Sequence, residues 1–287
     1  MSTSVTTPLT EDRLTLRARD GASATVLLHG GQLLSWQPAG GLGEQIYLSP
    51  LADLGGASAV RGGVPVIFPQ FSDRGPAPGP RHGFARMRRW TCTEQGERAG
   101  HAYAVLRLED DDSTRAVWNH AFALELTVSI GGRRLDLELA IANPADPDDA
   151  QARPFECTAA LHTYLATPDV LKAQIEGLEG CSYEDNLTGQ HRQQWTDVTS
   201  IVQATDRIYW SAPQPLLLRE LGRRLRVGWS GFEDVVIWNP GPDGAAKLTD
   251  LPDDDWRHML CIEAASIGNP IRVEPGEEWV GMQSFEL

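Results

Sequence analysis

Apolar and polar residues alternate with a period of two along most of this chain. Arg13-Leu-Thr-Leu-Arg-Ala18 and Ala24-Thr-Val-Leu-Leu28 open it with two such runs, and Ala104–Leu108 and Phe122–Ile130 continue the rhythm. Neighbouring side chains of an extended backbone point to opposite faces, so this pattern marks strands with one face in a core. Gly131-Gly132 interrupts it, and Arg134-Leu-Asp-Leu-Glu-Leu-Ala-Ile-Ala142 resumes it, which predicts a hairpin. Later strands are expected at Leu216–Leu221, Arg224–Trp229, Asp234–Trp238 and Met259–Glu263. Helical periodicity never persists beyond one or two turns. The 28 glycines and 19 prolines supply turns between short strands, so the expected class is all-β, a large antiparallel sandwich.

No change of composition divides the chain, and Asn143–Ala150 reads as an acidic turn rather than a linker. The organisation expected is a disordered tail over residues 1–8 and one β-sandwich catalytic domain over residues 9–287. A formal charge of −14 argues against nucleic acid or an anionic membrane surface as partner. There is no apolar run of about 18 residues to cross a bilayer. The first residues lack the basic and apolar regions of a secretion signal, so a cytoplasmic protein is expected. Nothing calls for a second chain, and a monomer is expected. Cys92, Cys157, Cys181 and Cys261 form no C-x-x-C pair, which excludes a zinc ribbon or redox motif and suggests buried small apolar residues. Gly40-Gly-Leu-Gly43 lacks the strand–helix context of a nucleotide loop.

Charge is distributed unevenly. Between Arg61 and Trp90 stand six arginines (61, 74, 81, 86, 88 and 89) and one acid, Asp73. Guanidinium groups match phosphate or carboxylate oxygens. A local basic site on an acidic protein suits a small anion better than a polyanion. The same residues could instead blunt a solvated strand edge.

Among the histidines, His82 sits within this loop and His162 within the apolar run Thr158–Leu165. Either could be an acid or base, and His162 could equally be a hydrogen-bonded core residue. Glu263, between Met-Leu-Cys-Ile and Ala-Ala, is a carboxylate in buried sequence. Such a group is paired, hydrogen-bonded or functional. Asp206 could end a strand, and Trp238 could be core or a platform for a sugar ring.

Six segments in order resemble one family. They are Arg61-Gly-Gly-Val-Pro, His82-Gly-Phe-Ala-Arg86, Leu161-His-Thr-Tyr164, Thr205-Asp-Arg-Ile-Tyr209, Val235-Val-Ile-Trp-Asn-Pro240 and Cys261-Ile-Glu-Ala264. Together with His29–Trp36 they look like the D-hexose-6-phosphate mutarotases of the aldose 1-epimerase superfamily. The resemblance implies a galactose-mutarotase-type sandwich that interconverts α and β anomers of a hexose 6-phosphate, most simply glucose 6-phosphate. It implies His162 as general acid and Glu263 as general base, with Arg61 and Arg86 on the phosphate. It also implies His82 and Asp206 on sugar oxygens, and neither metal nor organic cofactor. Where relatives often carry Gln, this chain has Arg81, a third guanidinium that either joins the phosphate site or points outward. The alternatives are a mutarotase of an unphosphorylated aldose and a non-catalytic sugar-phosphate sensor. A glycoside hydrolase would need a second carboxylate in matching context.

Overall fold

The computed structural model describes residues 12–56, 58–75 and 79–287, so the expected tail over residues 1–8 lies outside the described residues. Three antiparallel sheets account for the architecture among them. The largest has nine strands, in the order Val198–Ser200, Gln174–Glu176, Leu216–Glu220, Arg223–Ser230, Glu278–Glu286, Arg134–Ala142, Ala123–Gly131, His101–Glu109 and Thr91–Arg98. Its alternating residues Leu135, Leu137, Leu139 and Ile141 are fully buried, as the period of two requires. The expected hairpin forms one residue later than the glycine pair suggests. Gly131 pairs with Arg134, so Gly132-Arg133 makes the turn, and Gly132 adopts φ +58°.

The second sheet has eight strands. Seven run in the order Gln190–Gln193, Ser182–Asp185, Thr205–Tyr209, Asp234–Asn239, Met259–Val273, Phe155–Leu161 and Val66–Ile67, and Tyr164–Ala166 also pairs with Met259–Val273. Both of its faces are covered. Cys157, Ala159, Leu161, Val235, Ile237, Ile262 and Ala264 join the main core with the leucines of the nine-stranded sheet. Ala160, Ile208, Val236, Ala265 and Ile267 form a second cluster on the opposite face with Phe71. Burial on both sides explains why these strands read as continuous apolar runs rather than alternations. The third sheet, Arg13–Arg17, Ser23–Leu27 and Gln32–Gln37, adds Val26, Leu33 and Trp36 to the main core.

Thr91–Arg98, Gln190–Gln193 and Val198–Ser200 were not expected as strands. All three lie at sheet ends and are largely exposed, so they lack the apolar face that alternation reports. Cys157, Cys181 and Cys261 are buried as expected. Cys92 departs from that expectation: it is only partly buried, because it sits on one of these edge strands.

The arginine-rich loop is fastened to the second sheet through backbone. The Phe68 carbonyl accepts from the amides of Phe84 (3.0 Å) and Ala85 (3.2 Å), and the Pro80 carbonyl accepts from Gly83 (2.7 Å). Gly83 has φ +69°, and a Cβ there would lie 2.0 Å from the Phe68 oxygen. Gly132 also has positive φ, but a Cβ there would meet nothing within 4 Å. Gly132→Ala should therefore cost about 1 kcal/mol, the strain of a left-handed residue, and Gly83→Ala at least about 2 kcal/mol more from the backbone collision. Denaturant midpoints of the two variants check this; equal losses would show that the Phe68–Gly83 contact does not constrain the loop.

Candidate active site

Strand register builds the floor of the site. Met259–Val273 pairs Ala264 with Leu161 and Cys261 with Tyr164, so the strands on either side of His162 share one register. That continuity sets His162 opposite Glu263. On the far side Val236 pairs with Glu263 and Ile208, and Trp238 pairs with Cys261 and Asp206. Paired residues share a face, as do residues two apart. His162, Glu263, Tyr164, Trp238 and Asp206 thus all emerge on one face, where Tyr164 and Trp238 also pack against the main core. A cavity of about 560 Å³ opens over them, and the loop bearing His82 and the arginines walls it. Arg61, Arg81, His82, Arg86, His162, Asp206 and Glu263, the residues singled out from the sequence, all line this cavity.

The central pair is close and dry. His162 Nδ1 lies 3.4 Å from Glu263 Oε1, with His162 8% and Glu263 1% exposed. His162 Nδ1 and Glu263 Oε2 have no hydrogen-bond partner among the described residues. The imidazole stacks on Tyr164 (4.8 Å between centroids, 10°) and meets Trp238 edge-on at 6.0 Å. Burial pushes the Glu263 carboxyl well above its usual range, and Asp206 adds to that while Arg86 opposes it. Burial pushes His162 well below its usual range, helped by His82, Arg86 and Arg61. Both groups therefore favour their neutral forms, a carboxylic acid beside a neutral imidazole. This state holds one proton in total, as does carboxylate beside imidazolium, so the pair titrates as a unit.

His82 occupies the left-handed region at φ +65°. Its Nδ1 accepts the Ser72 amide at 3.2 Å, which leaves the proton of the neutral ring on Nε2. Burial, then Arg86, Arg81 and Arg61, push its pKa down to about 3. It is consequently a neutral donor at physiological pH. Asp206 accepts from Asn186 Nδ2 at 2.6 Å, and burial raises its pKa.

The six arginines divide. Arg61 donates Nε to Asp250 (3.1 Å) and Nη1 to the Tyr164 hydroxyl (3.1 Å). Burial opposes its charge, but Tyr164 and Asp250 outweigh that and raise its pKa. Arg86, in the 3₁₀ turn Ala85–Met87, donates Nη2 to the Arg81 carbonyl at 3.0 Å, while its buried Nε has no partner among the described residues. Burial, Arg61 and Arg81 together lower its pKa. Arg81 is exposed and stands on the cavity wall rather than pointing away. Arg74 lines the cavity too, yet it is held by both oxygens of Glu184 and donates to Asn186 Oδ1 at 3.1 Å. Arg88 and Arg89 do not line it, and Arg89 pairs with Asp12. No specific role for Tyr164, Asn186 or Arg74 follows from sequence pattern. Tyr164 was recoverable, since it stands two residues after His162 on the same face; Asn186 lies in a turn with no distinguishing pattern.

Comparison with known proteins bears on the fold and the family. The aldose 1-epimerase family model matches residues 12–286. A Cenchrus ciliaris protein provisionally named glucose-6-phosphate 1-epimerase is 32% identical over 285 residues, 96% of this chain and 85% of its own length. An Escherichia coli K12 protein with the same provisional name is 32% identical over 84% of this chain and 79% of its own. A crystal structure from Salmonella typhimurium, provisionally named a mutarotase, superimposes with a TM-score of 0.86 at 26% identity, covering 95% of this chain and 89% of the other. The expected galactose-mutarotase-type sandwich is thus the observed fold, and the chain belongs to the aldose 1-epimerase family.

Proposed function

We propose that this chain is a hexose-6-phosphate mutarotase whose preferred substrate is D-glucose 6-phosphate, acting as a monomeric single-domain enzyme in the cytoplasm. The observation that carries the reading is the pairing of two features in one cavity. A carboxyl and an imidazole face each other on the floor, and Arg61, Arg81 and Arg86 line the wall. Three guanidinium groups in one another's field call for an anion, and the phosphorylated end of the sugar supplies it. The provisional names of the relatives support the same substrate.

In this mechanism Glu263, as carboxylate, removes the proton from the C1 hydroxyl while His162, as imidazolium, delivers one to ring oxygen O5. The C1–O5 bond breaks to give the open aldehyde, and rotation about C1–C2 presents the other face. Closure then returns both protons. His82 Nε2–H and Asp206 hold sugar oxygens. The free pair favours its neutral arrangement, and phosphate supplies a correction. Positive charge from Arg86 and Arg61 depresses His162. A dianion seated on those arginines cancels that field and favours the imidazolium.

Glu263→Gln and His162→Ala should each lower kcat for anomer exchange by about 10²–10⁴-fold while preserving the fold and sugar-phosphate binding. Exchange NMR on α-glucose 6-phosphate measures this, and a variant keeping more than about a tenth of wild-type kcat removes its residue from the chemistry.

The pH profile should be a bell, because the productive pair carries one proton. The acidic limb falls where the pair gains a second proton and the basic limb where it loses the last. A nearby phosphate dianion raises the proton affinity of both groups. The kcat limbs on glucose 6-phosphate should therefore lie at higher pH than the kcat/KM limbs on free glucose, which report the free enzyme. A profile flat over roughly pH 5–9 with chemistry rate-limiting would refute the assignment.

Replacing Arg61 or Arg86 with Ala should remove a charge-assisted contact of about 1.5–3 kcal/mol. That corresponds to a loss of about 10- to 150-fold in kcat/KM for glucose 6-phosphate. Activity on free glucose should start low and should not fall, since losing either cation also relieves the field that depresses His162. The ratio of the two kcat/KM values tests the substrate assignment. If the ratio stays constant, both arginines are scaffold and a free aldose becomes the substrate.

A further inference from the structure

The mechanism leaves one buried nucleophilic group at the centre unused, the Cys261 thiol. Cys261 stands two residues before Glu263 on Met259–Val273, on the same face, with Tyr164 and Trp238 as its cross-strand partners. The donor atoms of His162, Cys261 and Glu263 all lie within 4.8 Å of one another. The 3.4 Å between His162 Nδ1 and Glu263 Oε1 is close to the ~3.3 Å expected of two donors each ~2.0–2.1 Å from one tetrahedral zinc ion. Glu263 Oε2 and His162 Nδ1 are buried polar atoms without a partner among the described residues, and the Glu263 side chain is more than nine-tenths buried. One nitrogen, one sulfur and one carboxylate oxygen converge there.

We propose that the proton-transfer centre is also an inhibitory site for a borderline-soft dication such as zinc, held by His162 Nδ1, Cys261 Sγ and Glu263, with its fourth position toward the cavity. A thiolate and a carboxylate balance the charge of the ion, and neutral His162 needs no proton removed. The thiol proton and the proton that the free pair holds on the Glu263 carboxyl both pass to solvent, so binding tightens as pH rises. Arg61 and Arg86 oppose any cation in the cavity. Hard ions such as Mg²⁺ and Ca²⁺, which gain little from sulfur and nitrogen, therefore do not overcome that field. Cys261 is fully buried, so the ion reaches it from the cavity past Glu263. An ion in this place takes both the acid and the base out of action and excludes the sugar. The inhibition rests on the proposed function; the binding does not.

The test titrates intact protein with Zn²⁺ by calorimetry and with Co²⁺ by absorption, comparing wild type with Cys261→Ser, Cys261→Ala and a Cys92→Ser control. Circular dichroism of each variant confirms that it is folded. We expect one metal per chain, removable by a chelator and unaffected by excess Mg²⁺. A thiolate-to-cobalt charge-transfer band should appear in wild type and Cys92→Ser and vanish in both Cys261 variants. Those variants should bind zinc at least about 10- to 100-fold more weakly. In metal-free buffer they should keep wild-type anomer exchange, and zinc that silences the wild type should leave them active. Zinc bound equally tightly without Cys261, a cobalt spectrum lacking the thiolate band, or no binding at roughly micromolar metal would each overturn the site. Binding as described in a protein inert toward every sugar would instead refute the mutarotase reading and leave the metal site standing.

Discussion

One strand register governs this molecule. Because residues 159–161 and Tyr164–Ala166 meet residues 259–266 in the same alignment, His162 is set opposite Glu263 and cannot slip by one residue without turning to the other face. The second sheet is covered on both sides, so the pair is dry as well as close. Removing an ionised carboxylate or imidazolium from water is costly, and the two groups respond by favouring neutral forms. A pair that holds a single proton in either of two arrangements is suited to give a proton at one sugar oxygen while taking one from another.

The surroundings adjust that pair without flooding it with charge. Arg61 is balanced by Asp250 and tied to Tyr164, the ring on which His162 stacks. Arg86 spends one nitrogen on a backbone carbonyl and keeps its Nε uncommitted among the described residues. His82 sits among these cations as a neutral donor because Ser72 fixes its tautomer and the arginines suppress its protonation. A chain of net charge −14 thus keeps a positive cavity wall by placing arginine where burial and neighbouring groups hold it. Net charge describes the surface a polymer would meet; this wall is read only by a ligand small enough to enter.

Legibility in the sequence followed burial. Arg134–Ala142 alternates cleanly and forms the strand expected, because one face is packed and the other wet. Met259–Glu263 was visible as an apolar run, but the strand continues to Val273 through Asn269 and Pro270 in an irregular stretch that interrupts pairing with Phe155–Leu161. Gln190–Gln193 shows neither pattern, since an exposed edge strand has no core face to write one. At the site, His162 and Glu263 stood out as ionisable groups in apolar sequence. The division of the arginines was not legible. Arg74 and Arg86 stand in similar sequence, and only the fold shows the Glu184 carboxylate beside one and a backbone carbonyl beside the other. Asn186, which fixes Asp206 from a turn, depends on an approach between strands that no local pattern encodes.

The central claim is that His162 and Glu263 act as one unit through a shared proton, and a double-variant cycle tests it most directly. Anomer exchange of glucose 6-phosphate would be measured by NMR for wild type, His162→Ala, Glu263→Gln and the double variant. If the two groups form one proton-transfer unit, the double variant should be within about threefold of the worse single variant, because either loss already disables the pair. Losses that multiply, with each group contributing independently of the other, would contradict the account.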